Sequence, residues 1–286
     1  MSYARVLALT ALTMVAFAGN SLLCRAALKA SHIDTASFTT IRLVSGALVL
    51  WLIVQVRSGT HTGKGSWRSA VALFIYATGF SYAYLSLSAS TGALLLFGAV
   101  QATMIGYGIW SGERLRYIQL AGLFLAFAGL IGLLLPGVTA PPLIGSLLML
   151  GAGVAWGVYS LRGRGAGNPI AITAGNFLRT VPIALVLSAV MFKGTGMDAA
   201  GIGYAVASGG LASGLGYAIW YTVLPALKAT SAATVQLSVP VIAALGGVLL
   251  LGEHISLRLV LASIAILGGI ALVILEKRPV TGARQT

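Results

Sequence analysis

The chain has 286 residues, of which 58% are hydrophobic and 8% charged. A soluble domain carries roughly 25% charged residues, so this composition excludes a water-exposed globular domain of this length and makes lipid the main solvent. The net charge of +13 comes from 18 Lys and Arg against 5 Asp and Glu. These basic residues are scattered through short loops, which argues against a nucleic-acid surface and for loops that orient membrane helices.

A helix needs about 20 apolar residues to cross a bilayer. Ten runs qualify in chain order, with edges near 6–25, 35–56, 68–88, 92–111, 116–135, 143–161, 170–192, 200–223, 230–251 and 256–275. The first contains Ala16-Phe17-Ala18, which loosely mimics a leader-cleavage site. The run continues through Leu22 and Leu23, so it is read as a retained helix. Breakers separate several runs: Pro136-Gly137, Pro141-Pro142, Gly163 to Pro169, and Lys193 to Gly196. The runs are apolar on all sides, whereas barrel strands would alternate. The expected fold class is therefore all-α, a polytopic membrane protein of ten transmembrane helices.

Lys and Arg set the orientation. With the N-terminus in the cytoplasm, the inner segments hold Arg5, Arg57, Lys64, Arg68, Arg114, Arg116, Arg162, Arg164, Lys228, Lys277, Arg278 and Arg284. The outer segments hold Arg25, Lys29, Lys193 and Arg258. That bias predicts both termini inside, in agreement with an even helix count.

The two halves resemble each other. Val15 to Arg25 aligns with Val154 to Arg164, and Arg42 with Ala47-Leu-Val-Leu50 aligns with Arg179 and Ala184-Leu-Val-Leu187. Tyr82-Ala83 matches Tyr217-Ala218, and Gly112-Glu113 matches Gly252-Glu253. The matches keep one order at nearly one offset. They predict two five-helix repeats, residues 1–138 and 139–286, the second ending in a short cytoplasmic tail. Five is odd, so the copies face opposite ways in the membrane, an arrangement that transporters use to place a site between halves that rock. Gly153-x-x-x-Gly157 and Gly210-x-x-x-Gly214 are spacings that let helices approach closely.

Arg42 and Arg179 are the ionisable residues placed inside helices, where such residues are functional candidates. One of them could grip a substrate carboxylate. Their equivalent places in the two repeats favour a structural role instead, at helix-end carbonyls or snorkelling outward. Glu113 and Glu253 open the last helix of each half, where a carboxylate is favourable. Asp34 reads as a helix cap, and Asp198 and Glu276 as loop residues. No carboxylate lies deep in a helix, which disfavours a proton-exchanging cation antiporter.

The candidate site is polar and aromatic. Asn20, Gln101, Asn176 and Gln236 are the deep polar residues. Tyr76, Phe80 and Tyr84 form a stripe at helical spacing, Trp156 and Tyr159 share a face, and Tyr217, Trp220 and Tyr221 cluster. A pocket of apolar walls with a few placed polar groups suits a small molecule, and aromatic faces suit rings or cations. The competing reading is interfacial anchoring. It fits Trp51, Trp67, Trp110 and Tyr117 near run ends better than the deeper Tyr82 and Trp156. The substrate-binding candidates are thus Asn20, Tyr76, Phe80, Tyr82, Gln101, Trp156, Tyr159, Tyr217 and Gln236. Pro182 and Pro240 fall inside helices and are candidate hinges or static kinks. The equivalent of Pro240 in the first half is Val100. The three His and one Cys show no metal-ligand spacing, and no phosphate loop is visible, so no cofactor is expected.

Two inverted five-helix halves, with Gly112-Glu113-Arg114-Leu115 and Gly252-Glu253-His254-Ile255 before their last helices, resemble the EamA-type branch of the drug/metabolite transporters. Leu227-Lys-Ala-Thr-Ser-Ala-Ala233, then Pro240, is similar to that family's second half. In the first half Ser90-Thr91-Gly92-Ala93 keeps the spacing while Val100 departs from it. The resemblance implies a cavity lined by helices 1, 3, 4, 6, 8 and 9, and a small-molecule cargo. Aromatic and other neutral amino acids are the preferred cargo and the bacterial inner membrane the expected location. Nucleotide sugars, other metabolites or drugs are the alternative. An intramembrane enzyme would show paired titratable groups at one depth, and the sequence offers none.

Overall fold

The computed structural model describes residues 1–58, 65–112, 114–137, 139–163, 168–191, 197–227 and 229–275. Glu113, Arg164, Lys228 and the tail from Glu276 onward fall outside them. Every described regular element is helical. The first half holds α1 (Tyr3–Ala30), α2 (Thr35–Ser58), α3 (Trp67–Ala83), α4 (Ala89–Trp110) and α5 (Tyr117–Leu134). The second half holds α6 (Leu143–Arg162), α7 (Pro169–Met191), α8 (Ala199–Ala226), α9 in two pieces (Ala229–Gln236 and Ser238–Leu251) and α10 (Leu257–Leu275).

Among the described residues nine helices are long and apolar enough to cross a membrane. The tenth, α3, has 17 residues and ends earlier than its apolar run suggests. Tyr84 caps it there, and a turn leads to Ser88. The outside of the bundle exposes residues such as Leu12, Leu120, Phe124, Leu249 and Leu261, a surface suited to lipid.

Polar caps set most helix starts. Ser2, Asp34, Ser66, Ser88, Asn168, Asp198 and Ser256 each accept the backbone N–H three residues on. Such bonds satisfy amides that have no partner within the helix. Asp198, read as a loop residue, is therefore the N-cap of α8. The repeated Gly-Glu motif also gains a physical reason. Gly112 and Gly252 follow the ends of α4 and α9 with φ of 96° and 61°, a backbone region that favours glycine.

Helix pairing respects an exchange of the halves. α2 packs on α7, α5 on α10 and α4 on α9, each helix against its own counterpart. Three further sets of contacts come in matched pairs: α3 on α6 with α8 on α1, α4 on α6 with α9 on α1, and α3 on α7 with α8 on α2. Small residues permit these approaches. A Cβ on Gly153 would meet Leu96 and Ala99 of α4, and one on Gly157 would meet Thr103. Gly210 and Gly214 both pack on Val49 of α2.

Two helices are irregular at the centre. Ala207–Leu215 of α8 is π-helical, a form common at functional sites. There Gly209 lies so close to α2 that a Cβ would meet the Arg42 carbonyl and Ser45 Oγ. In α9 the break falls at Leu237. Pro240 has no N–H for the carbonyl of Gln236, four residues earlier, which accounts for the interruption.

Candidate functional site

At the centre an aromatic stack crosses from one half to the other. Trp156 of α6 stacks on Tyr217 of α8 at 5.2 Å and 20°, and on Tyr159 at 5.2 Å and 25°. Its other neighbour is Tyr76 of α3, at 4.9 Å and 45°. The stripe on α3 forms as expected, with Phe80 5.6 Å from Tyr76 and Tyr84 4.8 Å from Phe80. These residues line up because positions three and four apart share a helix face.

A polar line runs along the same stack. Tyr76 Oη accepts from Asn20 Nδ2 at 3.4 Å and from Arg42 Nη2 at 3.1 Å. Ser208, on the π-helical stretch, donates to Asn20 Oδ1. All four side chains are buried. A second line lies beside Tyr159, whose Oη accepts from Asn176 Nδ2 at 3.4 Å, while Asn176 Oδ1 accepts the Ser66 amide at 2.8 Å.

Phe17, Asn20, Tyr76, Phe80, Leu96, Phe97, Trp156, Ala212, Tyr217 and Gln236 line a narrow cavity of about 30 Å³. That volume holds one or two water molecules. A metabolite needs a pocket roughly ten times larger, so the centre must open before it can bind anything else. The walls come from α1, α3, α4, α6, α8 and α9, the set that the family resemblance implies. Larger hollows lie elsewhere: a 290 Å³ space between α4, α5, α6 and α10 is lined almost wholly by apolar residues, and one of 390 Å³ carries Arg5, Arg57 and Thr222 on its walls.

Six of the candidate residues therefore line the cavity: Asn20, Tyr76, Phe80, Trp156, Tyr217 and Gln236. Tyr159 stands behind Trp156 in the stack. Gln101 is buried in α4 but is not a wall residue. Tyr82 lies apart, only partly buried and near Asp34, because it sits half a turn off the Tyr76–Phe80 face. Pro240 marks the break in α9, whereas Pro182 is exposed within a continuous α7.

The symmetric reading of Arg42 and Arg179 needs correction. Arg179 donates to its own helix at Gly175 O, 2.9 Å away, and lies 6.0 Å over the exposed Trp67. That is the structural role expected. Arg42 is 2% exposed and rests against the Phe80 and Tyr76 rings, 4.6 and 5.4 Å from their centroids. Sequence reasoning missed it because the two arginines have matching local surroundings in the chain. Glu253 also differs from expectation. Its carboxylate serves the start of α4, accepting from Ala89 N at 2.9 Å, and pairs with Arg25 of α1 at 3.2 Å.

The geometry is that of a multi-pass membrane protein whose halves meet at a closed aromatic and polar centre. Residues 143–275 match the EamA-like transporter family. The chain is 57% identical to an uncharacterized protein of Pseudomonas aeruginosa over 94% of each chain. It is 27% identical to an uncharacterized transporter of Archaeoglobus fulgidus, over 72% of this chain and 77% of the relative. A solved crystal structure at 18% identity shares the fold, with a TM-score of 0.67 over 95% of this chain and 98% of that one. The second half of the chain is thus an EamA-like transporter domain, set in the fold of a multi-pass membrane protein.

Proposed function

We propose that the protein exports amino acids, aromatic and other neutral ones, across the bacterial inner membrane. Both termini are cytoplasmic in this reading, and residues 1–138 and 139–286 act as inverted repeats that rock about the centre. One observation carries it: the cavity draws Asn20, Tyr76 and Phe80 from the first half and Trp156, Tyr217 and Gln236 from the second. Relative motion of the halves would therefore take its walls apart. Flat aromatic faces beside amide side chains suit an apolar side chain and the polar end of an amino acid.

The test is uptake by proteoliposomes loaded with a panel of unlabelled amino acids, with and without a proton gradient. Exchange of labelled phenylalanine or leucine above empty liposomes supports the reading, and no flux across the whole panel sinks it. The buried Arg42 beside the cavity favours one alternative, a carrier of another anionic metabolite such as a nucleotide sugar.

A further inference from the structure

Among the described residues Arg42 is a buried cation without a counter-ion. Its Nη2 donates to Tyr76 Oη, but Nη1 is buried and has no hydrogen-bond partner among the described residues. The described carboxylates are engaged elsewhere. Asp34 caps α2, Asp198 caps α8, and Glu253 pairs with Arg25. Burying an unpaired charge is costly, and proteins normally answer it with an opposite charge.

The surroundings hold the guanidinium next to the cavity. It packs on the inner rings Phe80 and Tyr76, both of which line that cavity. Aromatic faces accept a cation, but more weakly than a carboxylate does. The π-helical Gly209 abuts the Arg42 carbonyl and so fixes the backbone of α2 at this level. Arg179, the repeat counterpart, has no such environment. Arg42 thus stands behind the Phe80 and Tyr76 rings of the cavity wall, under-satisfied, whereas a shared scaffold residue would be satisfied in both halves.

We propose that Arg42 is the anion-binding residue of the transport site, and that the substrate enters as a carboxylate or another oxyanion docked on Nη1 of Arg42. Asn20 and Tyr76 then complete the polar end of the site, and the Trp156–Tyr217 stack receives the remainder of the molecule. Tyr76 is a positioning residue that holds the guanidinium by Nη2. This rests on the reading that the closed centre is the transport site. When the halves part, the Phe80 ring has room to turn aside while Tyr76 keeps its hold on Nη2, and the arginine exchanges a weak ring contact for a charged partner.

The experiment measures thermal stability and counterflow of purified wild type, Arg42→Gln and Arg42→Lys. The probes are L-phenylalanine, L-phenylalanine amide, phenethylamine and inorganic phosphate. Wild type responds to the acid and not to the amide or the amine. Arg42→Gln loses that response by about 30-fold or more, the usual consequence of truncating a buried charge partner. Arg42→Lys keeps the preference for the acid with weaker binding, because the charge remains and the fork does not. Without ligand, Arg42→Gln melts no lower than wild type, since it removes an unpaired charge; a purely structural arginine would lower the melting point.

Equal wild-type responses to the acid and the amide overturn the proposal while leaving an amino-acid carrier intact, and this arm decides even if Arg42→Gln does not fold. A response to phosphate that depends on Arg42, with none to amino acids, keeps the anion site and removes the amino-acid reading. Failure of every anion to act on the wild type overturns the site.

Discussion

Arg25 Nε lies 3.2 Å from Glu253 Oε1, which ties the C-terminal part of α1 to the turn between α9 and α10. The other carboxylate oxygen holds Ala89 N at the start of α4. Arg25 also donates to Tyr84 O, and Lys29 donates to Leu251 O. Four helices are thereby clasped at one end of the cavity. Cys24, the chain's one cysteine, is fully buried immediately beside this clasp. Substituting Glu253→Gln leaves Arg25 and the Ala89 amide with a weaker acceptor. Such a partly buried pair is worth about 1–2 kcal/mol, between the exposed and fully buried cases. Maleimide labelling of Cys24 should therefore speed up several-fold in Glu253→Gln. An unchanged labelling rate would show that the clasp does not control access from this end.

The second prediction concerns the stack. Trp156 touches Tyr76, Tyr159 and Tyr217 at once, and each aromatic pair contributes about 0.5–1.5 kcal/mol beyond its buried area. Trp156→Ala removes all three contacts and opens a void between the halves. Amino-acid exchange should fall by at least 10-fold, whereas Trp156→Phe, which keeps a flat face, should retain much of it. Comparable exchange by Trp156→Ala and wild type would place the substrate elsewhere.

The third prediction uses two glycines of α8. A Cβ on Gly209 would meet the Arg42 carbonyl and Ser45 Oγ, while one on Gly203 meets nothing within 4 Å. Backbone has no rotamer with which to yield, so Gly209→Ala must push α2 and α8 apart and should cost about 1–3 kcal/mol. Gly203→Ala should be neutral or stabilising by up to about 1 kcal/mol, because glycine is a poor helix former. Melting curves of the two variants in one detergent decide the matter. Equal melting points would mean that the close α2–α8 approach is not a constraint.

The helices and the small-residue contacts were legible because each rests on short-range pattern: apolar length and glycine spacing. The stripe Tyr76–Phe80–Tyr84 was legible for the same reason, since one helical face carries it. What remained hidden is non-local. Arg42 and Arg179 occupy matching places in the repeat, yet one faces two buried rings and the other a surface tryptophan. Glu253 precedes α10, but its partners belong to α1 and to the start of α4. Tyr82 and Tyr217 align in the repeat and still separate, because α3 presents Tyr76 to the centre in place of Tyr82. The π-helical turn that brings Ser208 to Asn20 has no residue signature beyond its glycines.

The last prediction separates the two prolines. Pro240 is buried, and the break at Leu237 frees the carbonyl of Gln236, a cavity-wall residue. Pro182 is exposed in an uninterrupted helix. A hinge should lie where a helix is already interrupted and where bending moves the site. Pro240→Ala restores the missing donor and favours a continuous α9, which should raise the melting point while slowing exchange several-fold. Pro182→Ala restores a donor far from the cavity and should leave exchange within about two-fold of wild type, consistent with a static kink. Slower exchange in Pro182→Ala, together with wild-type exchange in Pro240→Ala, would exchange the two assignments and move the bending point from α9 to α7.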